Sequence, residues 1–111
     1  MVVMMSTPSV ARRAEDLSKV VDQIHDRWFN LDDVKFDKTA QTVTVPFKKD
    51  GLVLRIRRAK ELRLKDTERV GSYDFNTFEY DPARRRLSLA TGVPLTLDID
   101  VDDVDVSVEA L

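Results

Sequence analysis

The apolar residues near the N-terminus recur at helical spacing. Six of them follow one another at steps of three and four residues: Val10, Ala14, Leu17, Val21, Ile24 and Trp28. That spacing places them on one face of an α-helix. Thr7 and Pro8 come just before, and a capping threonine followed by a proline is a common start for a helix. The pattern predicts one amphipathic helix over about residues 8–29, after a loosely ordered N-terminus at residues 1–6.

Beyond Asn30 the apolar and polar residues alternate with a period of two, which is typical of β-strands with one buried face. Short stretches that contain Gly, Pro and Asp separate the alternating segments, as hairpin turns require. Because no second helical period appears, parallel βαβ folds are excluded. The sequence predicts a single α+β domain over residues 7–111. Its N-terminal helix packs on an antiparallel, meander-like sheet of about six strands over residues 33–109.

The strand region contains a candidate internal repeat. Residues 31–45 align without a gap with residues 75–89, at an offset of 44, in their apolar positions and turn aspartate. Each copy is followed by a candidate third strand, at residues 59–64 and 101–106. With these strands included, the repeat units span residues 31–65 and 75–108. Apolar residues spaced as apolar-x-x-apolar-x-apolar occur four times, and each such step needs a bulge or a bend. The alternative is that any two hairpins look alike at this level of detail.

Composition removes several classes of protein. The chain has 111 residues, no cysteine, one histidine and three glycines, which excludes disulfide scaffolds, zinc ribbons, iron–sulfur sites and thiol nucleophiles. It contains no apolar stretch of the roughly 18 residues that cross a bilayer, so we expect no membrane association. The lack of cysteine agrees with a reducing cytoplasm, and we expect a cytoplasmic protein without a cofactor.

The net charge of −2 hides a strong segregation of charge along the chain. Residues 55–69 carry seven basic groups: Arg55, Arg57, Arg58, Lys60, Arg63, Lys65 and Arg69. Residues 93–111 carry six acidic groups and no basic group: Asp98, Asp100, Asp102, Asp103, Asp105 and Glu109. If these strands are neighbours, cross-strand pairs would specify their register. If they lie at opposite edges, a basic edge and an acidic edge would be able to meet in a second copy.

Two segments carry residues found in known chemical motifs, and both fit a simpler interpretation better. Asp98, Asp100, Asp102 and Glu109 match positions 1, 3, 5 and 12 of a calcium-binding EF-hand loop, but Asp103 stands where that loop needs glycine and the flanks are strand-like. His25 lies beside Asp22 and Asp26, and without a recognisable nucleophile this favours a boundary histidine over half of a catalytic pair. We therefore predict no catalytic and no metal-binding residues.

The function expected from these patterns is non-catalytic binding of a protein partner or self-association, for example as a homodimer. The predicted interaction surface combines the basic and acidic segments with an arginine turn: Arg55, Arg57, Arg58, Lys60, Arg63, Arg84, Arg85, Arg86, Asp98, Asp100, Asp102, Asp103 and Asp105. The alternative is a nucleic-acid-binding accessory protein that uses the Arg55–Lys65 strand and the turn at Arg84–Arg86.

Overall fold

The computed structural model describes residues 9–66 and 71–111. The ranges predicted at residues 1–6, the helix start at Thr7 and Pro8, and Arg69 lie outside the described residues. The described part contains one α-helix and ten strands: α1 (Leu17–Ile24), β1 (Ser9–Ala11), β2 (Trp28–Asn30), β3 (Lys35–Asp37), β4 (Thr42–Phe47), β5 (Leu52–Ile56), β6 (Ala59–Asp66), β7 (Ser72–Asp81), β8 (Arg86–Thr91), β9 (Leu95–Val101) and β10 (Val106–Ala110). Short 3₁₀ turns lie at Ala14–Asp16, Leu31–Asp33 and Lys48–Asp50.

The strands form two antiparallel five-stranded sheets. The first sheet has the order β1-β10-β5-β4-β3 and the second has the order β2-β7-β8-β9-β6. The predicted α+β class with antiparallel strands is confirmed, whereas the single sheet of about six strands is wrong. A period of two identifies a strand with one buried face, but it does not say which sheet that strand joins.

The two sheets exchange their fourth strands. β3-β4-β5 and β7-β8-β9 are consecutive meanders in different sheets, and the strand after each meander leaves for the other sheet: β6 pairs with β9, and β10 pairs with β5. Phe36 faces Val43 in the first meander, and Tyr80 faces Leu87 in the second, at the predicted offset of 44. The third strands of the meanders are therefore β5 and β9 rather than residues 59–64 and 101–106. An origin by duplication stays a prediction.

The irregular apolar steps fall where the chain bends. The pairing register shifts between Ala59 and Glu61 and again between Phe75 and Thr77, as expected when one extra residue enters a strand. A third step coincides with the 3₁₀ turn Leu31–Asp33, and the fourth, after Val101, coincides with the crossing from β9 to β10. After two of these bends the following apolar side chains, Phe78 and Val104, are buried, whereas Leu64 stays exposed after the bulge at Ala59.

The helix is shorter than predicted, and its buried face overlaps the predicted stripe at Leu17 and Ile24 but includes Val20 in place of Val21. α1 lies against β1, β7 and β10, and its buried residues are Leu17, Val20 and Ile24. The helix ends because His25 is extended and Asp26 has a φ of 65°. The Asp26 N–H donates instead to the Phe75 carbonyl at 2.8 Å.

Near both ends of the predicted helix the chain forms strands instead, at β1 and β2, and Ala14–Asp16 forms a 3₁₀ turn. Phe29 is 2% exposed between Phe47 and Tyr73, whereas Trp28 points outward and is 47% exposed. Val10 on β1 is also exposed. Burying Phe29 in the aromatic core outweighs the local helix propensity, because tertiary packing commonly overrides that weak preference.

Candidate functional site

The basic and acidic segments predicted as an interaction surface lie side by side. β6 runs antiparallel to β9, with Arg63 directly opposite Asp98, and β5 runs antiparallel to β10. Of the two arrangements considered for these strands, the structure has the one in which they are neighbours. The exchange of fourth strands causes this, because it carries each basic strand into contact with an acidic one.

On the outer face of the second sheet, Asp100 is shared by two arginines. Its carboxylate lies 2.9 Å from Arg86 Nε and 3.1 Å from an Arg63 terminal nitrogen. Next to it, the Ser88 hydroxyl donates to Asp98 at 2.8 Å. The hydrogen bond from Arg86, together with the charges of both arginines, lowers the pKa of Asp100, and the same bond raises the pKa of Arg86. This face is a neutralised network rather than a basic surface.

The two connections that exchange strands meet and pair their charges. The Asp102 N–H donates to the Arg58 carbonyl at 3.0 Å, which joins the β5–β6 connection to the β9–β10 connection. Lys60 Nζ lies 2.7 Å from Asp102, and Arg58 lies 3.9 Å from Asp103. The hydrogen bond from Lys60 lowers the pKa of Asp102. Arg57 also contacts this crossing, at 3.9 Å from Asp105.

A third group of charges lies on the outer face of the first sheet. Arg57 donates to the Ser107 hydroxyl at 2.8 Å and to Glu109 at 2.9 Å, and Arg55 lies 3.4 Å from the same Glu109 carboxylate. The hydrogen bonds from Ser107 and Arg57 lower the pKa of Glu109. Glu109 was not among the predicted surface residues, although it belongs to the acidic segment at residues 93–111.

Two of the three arginines in the predicted turn are paired with carboxylates. Arg84 lies 3.8 Å from Asp81, and Arg86 is held by Asp100. Arg85 has a φ of 50°, and its carbonyl accepts a hydrogen bond from the Val101 N–H at 2.9 Å. Its guanidinium has no carboxylate within 4.0 Å among the described residues. One arginine of the three therefore keeps an unpaired charge.

The remaining candidates are His25 and the carboxylates considered for a metal site. His25 lies at the end of α1, with Nδ1 3.2 Å from Asp26 and Nε2 3.1 Å from the Asn76 side-chain oxygen. No group of three or more His, Cys, Asp or Glu side chains within residues 9–66 and 71–111 is arranged to hold a metal ion.

Sequence reasoning missed a groove between α1 and β7. Leu17 and Val21 line one side and Phe78 and Tyr80 line the other, and the groove is open to solvent, with a volume of about 660 Å³. Three carboxylates stand at its rim: Glu15, Asp22 and Glu79. The helical pattern identified Leu17 and Val21 as apolar. Nothing in the sequence indicated that β7 leaves part of that face uncovered.

In the part of the chain that the structure describes, no helix has both the length and the apolar character needed to cross a membrane. Comparison of the chain with protein-family models, with curated proteins and with solved structures gave no match.

Proposed function

We propose that this protein is a non-catalytic interaction module that binds a basic amphipathic segment of a protein partner in the groove between α1 and β7. The observation that carries the proposal is the combination of an apolar floor with a rim of acidic side chains. This proposal has the same role as the one predicted from the sequence, a protein-binding module. It places the binding surface in the groove and not on the charged strands.

The floor of the groove offers apolar area to a partner. Leu17 and Phe78 are buried beneath it, and Val21 and Tyr80 are half-buried at its sides. A segment laid between them would cover the remaining exposed parts of these side chains, at about 25 cal/mol for each Å² of apolar surface removed from water. Apolar side chains of an amphipathic helix or strand are the complement for such a groove.

The rim selects the charge of the partner. Asp22 and Glu79 are exposed, and neither has a cation within 4.0 Å among the described residues. Within the described residues, the one cation near the Glu15 carboxylate is Arg13, at 3.4 Å, and Arg13 is itself largely exposed. Lysine or arginine side chains on the polar face of a partner segment would be attracted to these carboxylates, which accelerates association and makes it sensitive to salt.

The same features argue against the two other partners that the sequence allowed. A symmetric homodimer through the groove would place two acidic rims against each other, since the same patch occurs on both subunits. For nucleic acid, the arginines of β5, of β6 and of the connection between them, together with Arg86, are held by carboxylates of β9, of β10 or of the connection between those two strands. Binding phosphate would require breaking those pairs.

The test is a titration of the ¹⁵N-labelled protein with a synthetic amphipathic Leu/Lys peptide, with a Leu/Glu peptide of the same pattern as control. We expect saturable shifts of the Leu17, Val21 and Tyr80 amides with the Leu/Lys peptide only, weakened by added salt. Charge reversal at Asp22 and Glu79 should abolish them. Charge reversal at Asp32, which is exposed and lies away from the groove, should leave them unchanged.

Three outcomes would overturn the proposal. Equal binding of the two peptides would show that the rim does not select charge. Shifts that map to other surfaces would show that the groove is not the site. Tighter binding of a single-stranded RNA oligonucleotide, lost when Arg84 and Arg85 become Ser, would instead favour the nucleic-acid alternative.

A further inference from the structure

The only tryptophan of the chain lies on the surface beside a cleft. Trp28 is 47% exposed on β2, while its neighbour Phe29 is turned into the core. The cleft, of about 340 Å³, lies between β2 and the segment that follows the end of β4. Ligand pockets are commonly lined by aromatic side chains together with a few polar groups, so a half-exposed indole beside a cleft is a candidate binding surface.

The two walls of the cleft are tied to each other. Arg27, just before β2, lies 2.7 Å from Asp50 and also donates to the Gln23 carbonyl at 2.9 Å. Lys48 Nζ lies 3.0 Å from Asp33. These contacts hold the 3₁₀ turn Lys48–Asp50 against the β2 side, so the cleft is formed before any ligand arrives. Preformed sites avoid part of the ordering cost of binding.

The polar groups in the cleft form two pairs, each with hydrogen-bonding capacity left over. Lys48 pairs with Asp33, and the Ser72 hydroxyl donates to the Asn30 side-chain oxygen. The Asn30 amide still has its two N–H donors, Asp33 has a second oxygen, and the Lys48 ammonium has further donors. The cleft therefore offers both donors and acceptors on residues that line it together with Trp28.

The balance of charge in the cleft decides among classes of ligand. Lys48 is neutralised by Asp33, which leaves Lys49 as the one lysine of the cleft without a carboxylate within 4.0 Å among the described residues. A phosphate group needs several converging donors, and one exposed lysine does not supply them. A ligand rich in hydroxyl groups, with an apolar face, matches paired donors and acceptors beside an indole.

We propose that the Trp28 cleft binds a saccharide, neutral or carrying one carboxylate. The apolar C–H face of a pyranose ring would pack on the indole, whose π-face is electron-rich. Its hydroxyl groups would bond to Asn30, Asp33 and Lys48, and a carboxylate would meet Lys49. This proposal is independent of the groove between α1 and β7, because the two sites share no lining residue.

Because Trp28 is the sole tryptophan, its fluorescence reports on the cleft directly. The experiment titrates the protein with glucose, N-acetylglucosamine, glucuronate and their β-linked disaccharides, and separately with AMP and GMP. We expect saturable change with at least one saccharide. Asp33→Ala and Asn30→Ala should each raise its dissociation constant at least tenfold. Lys35→Ala, an exposed lysine outside the cleft, should leave it unchanged.

Saturation-transfer NMR of the same saccharide with Trp28→Ala gives a second readout that does not depend on the fluorophore, and the transfer should disappear. The proposal is overturned if no saccharide changes the Trp28 emission saturably. It is equally overturned if a nucleoside monophosphate binds more tightly than every saccharide, or if Asn30→Ala and Asp33→Ala bind as the wild type does.

Discussion

Replacing Phe29 and, separately, Trp28 by alanine tests how the chain leaves the helix. In the structure Phe29 is 2% exposed and makes an edge-to-face contact with Phe47, at 5.8 Å between ring centroids, whereas Trp28 is 47% exposed. If the helix continued to residue 29, Trp28 would be buried on its apolar face, and Phe29 would lie outside that face. The two substitutions therefore rank in opposite order under the two arrangements.

The magnitudes follow from the areas. A buried phenylalanine removes roughly 200 Å² from water, which at about 25 cal/mol per Å² is an upper figure of about 5 kcal/mol. Measured Phe→Ala changes in cores cost about 3–5 kcal/mol, so we expect Phe29→Ala to fall there. Trp28→Ala removes a partly exposed side chain, and water fills the space it leaves. We expect that variant to lose about 1–2 kcal/mol.

Urea denaturation followed by far-ultraviolet circular dichroism measures both free energies of unfolding. If Phe29→Ala does not fold, the pair Phe29→Leu and Trp28→Leu replaces the alanine pair. Phe29→Leu retains most of the side-chain volume, and we expect it to lower the free energy of unfolding by about 1–1.5 kcal/mol. The reasoning is refuted if the substitution at Trp28 costs more than the matched substitution at Phe29.

Three further changes test local features. Asp100→Asn should lower stability near neutral pH: because the folded-state pKa of Asp100 is lowered, its contribution is present above the unfolded pKa and is lost as pH falls through the folded pKa. Urea titrations across pH should thus show the gap from wild type closing in acid, and a widening gap would be contrary. Gly92→Ala places a Cβ within 2.3 Å of an Asp74 carboxylate oxygen, and displacing that carboxylate should cost about 1–3 kcal/mol. The same change made in Asp74→Ala should cost much less, which a double-mutant cycle measures. Gly51→Ala, at a φ of +67°, should cost about 1–2 kcal/mol, with Gly51→Asn milder in thermal melts.

Much of the strand content was readable from the sequence. The alternation of Val43 and Val45 with polar residues predicts a strand with one buried face, and both side chains are buried in β4. The irregular steps that begin at Ala59 and Phe75 predicted the two bulges. These are local properties, because one strand and its own side chains determine them.

The end of the helix was not readable in the same way. Ile24 and Trp28 are four residues apart, which fits a helix. The turn between them depends on a hydrogen bond from Asp26 to Phe75, which is distant in the sequence. Phe29 also contacts aromatic neighbours, Phe47 and Tyr73, that are distant in the sequence.

The charged residues also combine a local property that the sequence predicts with contacts that it does not predict. Their segregation was visible along the chain, but their partners were not. Whether Arg63 pairs with Asp100 or with a second molecule depends on where the chain crosses between sheets, and a strand pattern does not contain that information. The groove and the Trp28 cleft are equally products of the packing between distant elements.

The most direct test of the account is the set of backbone nuclear Overhauser effects between strands. The exchange of fourth strands predicts contacts between β6 and β9, for example Leu62 with Ile99, and between β5 and β10, for example Leu54 with Val108. Contacts that instead joined β5 to β6 and β9 to β10 as simple hairpins would contradict it, and the basic and acidic strands would then no longer neutralise each other.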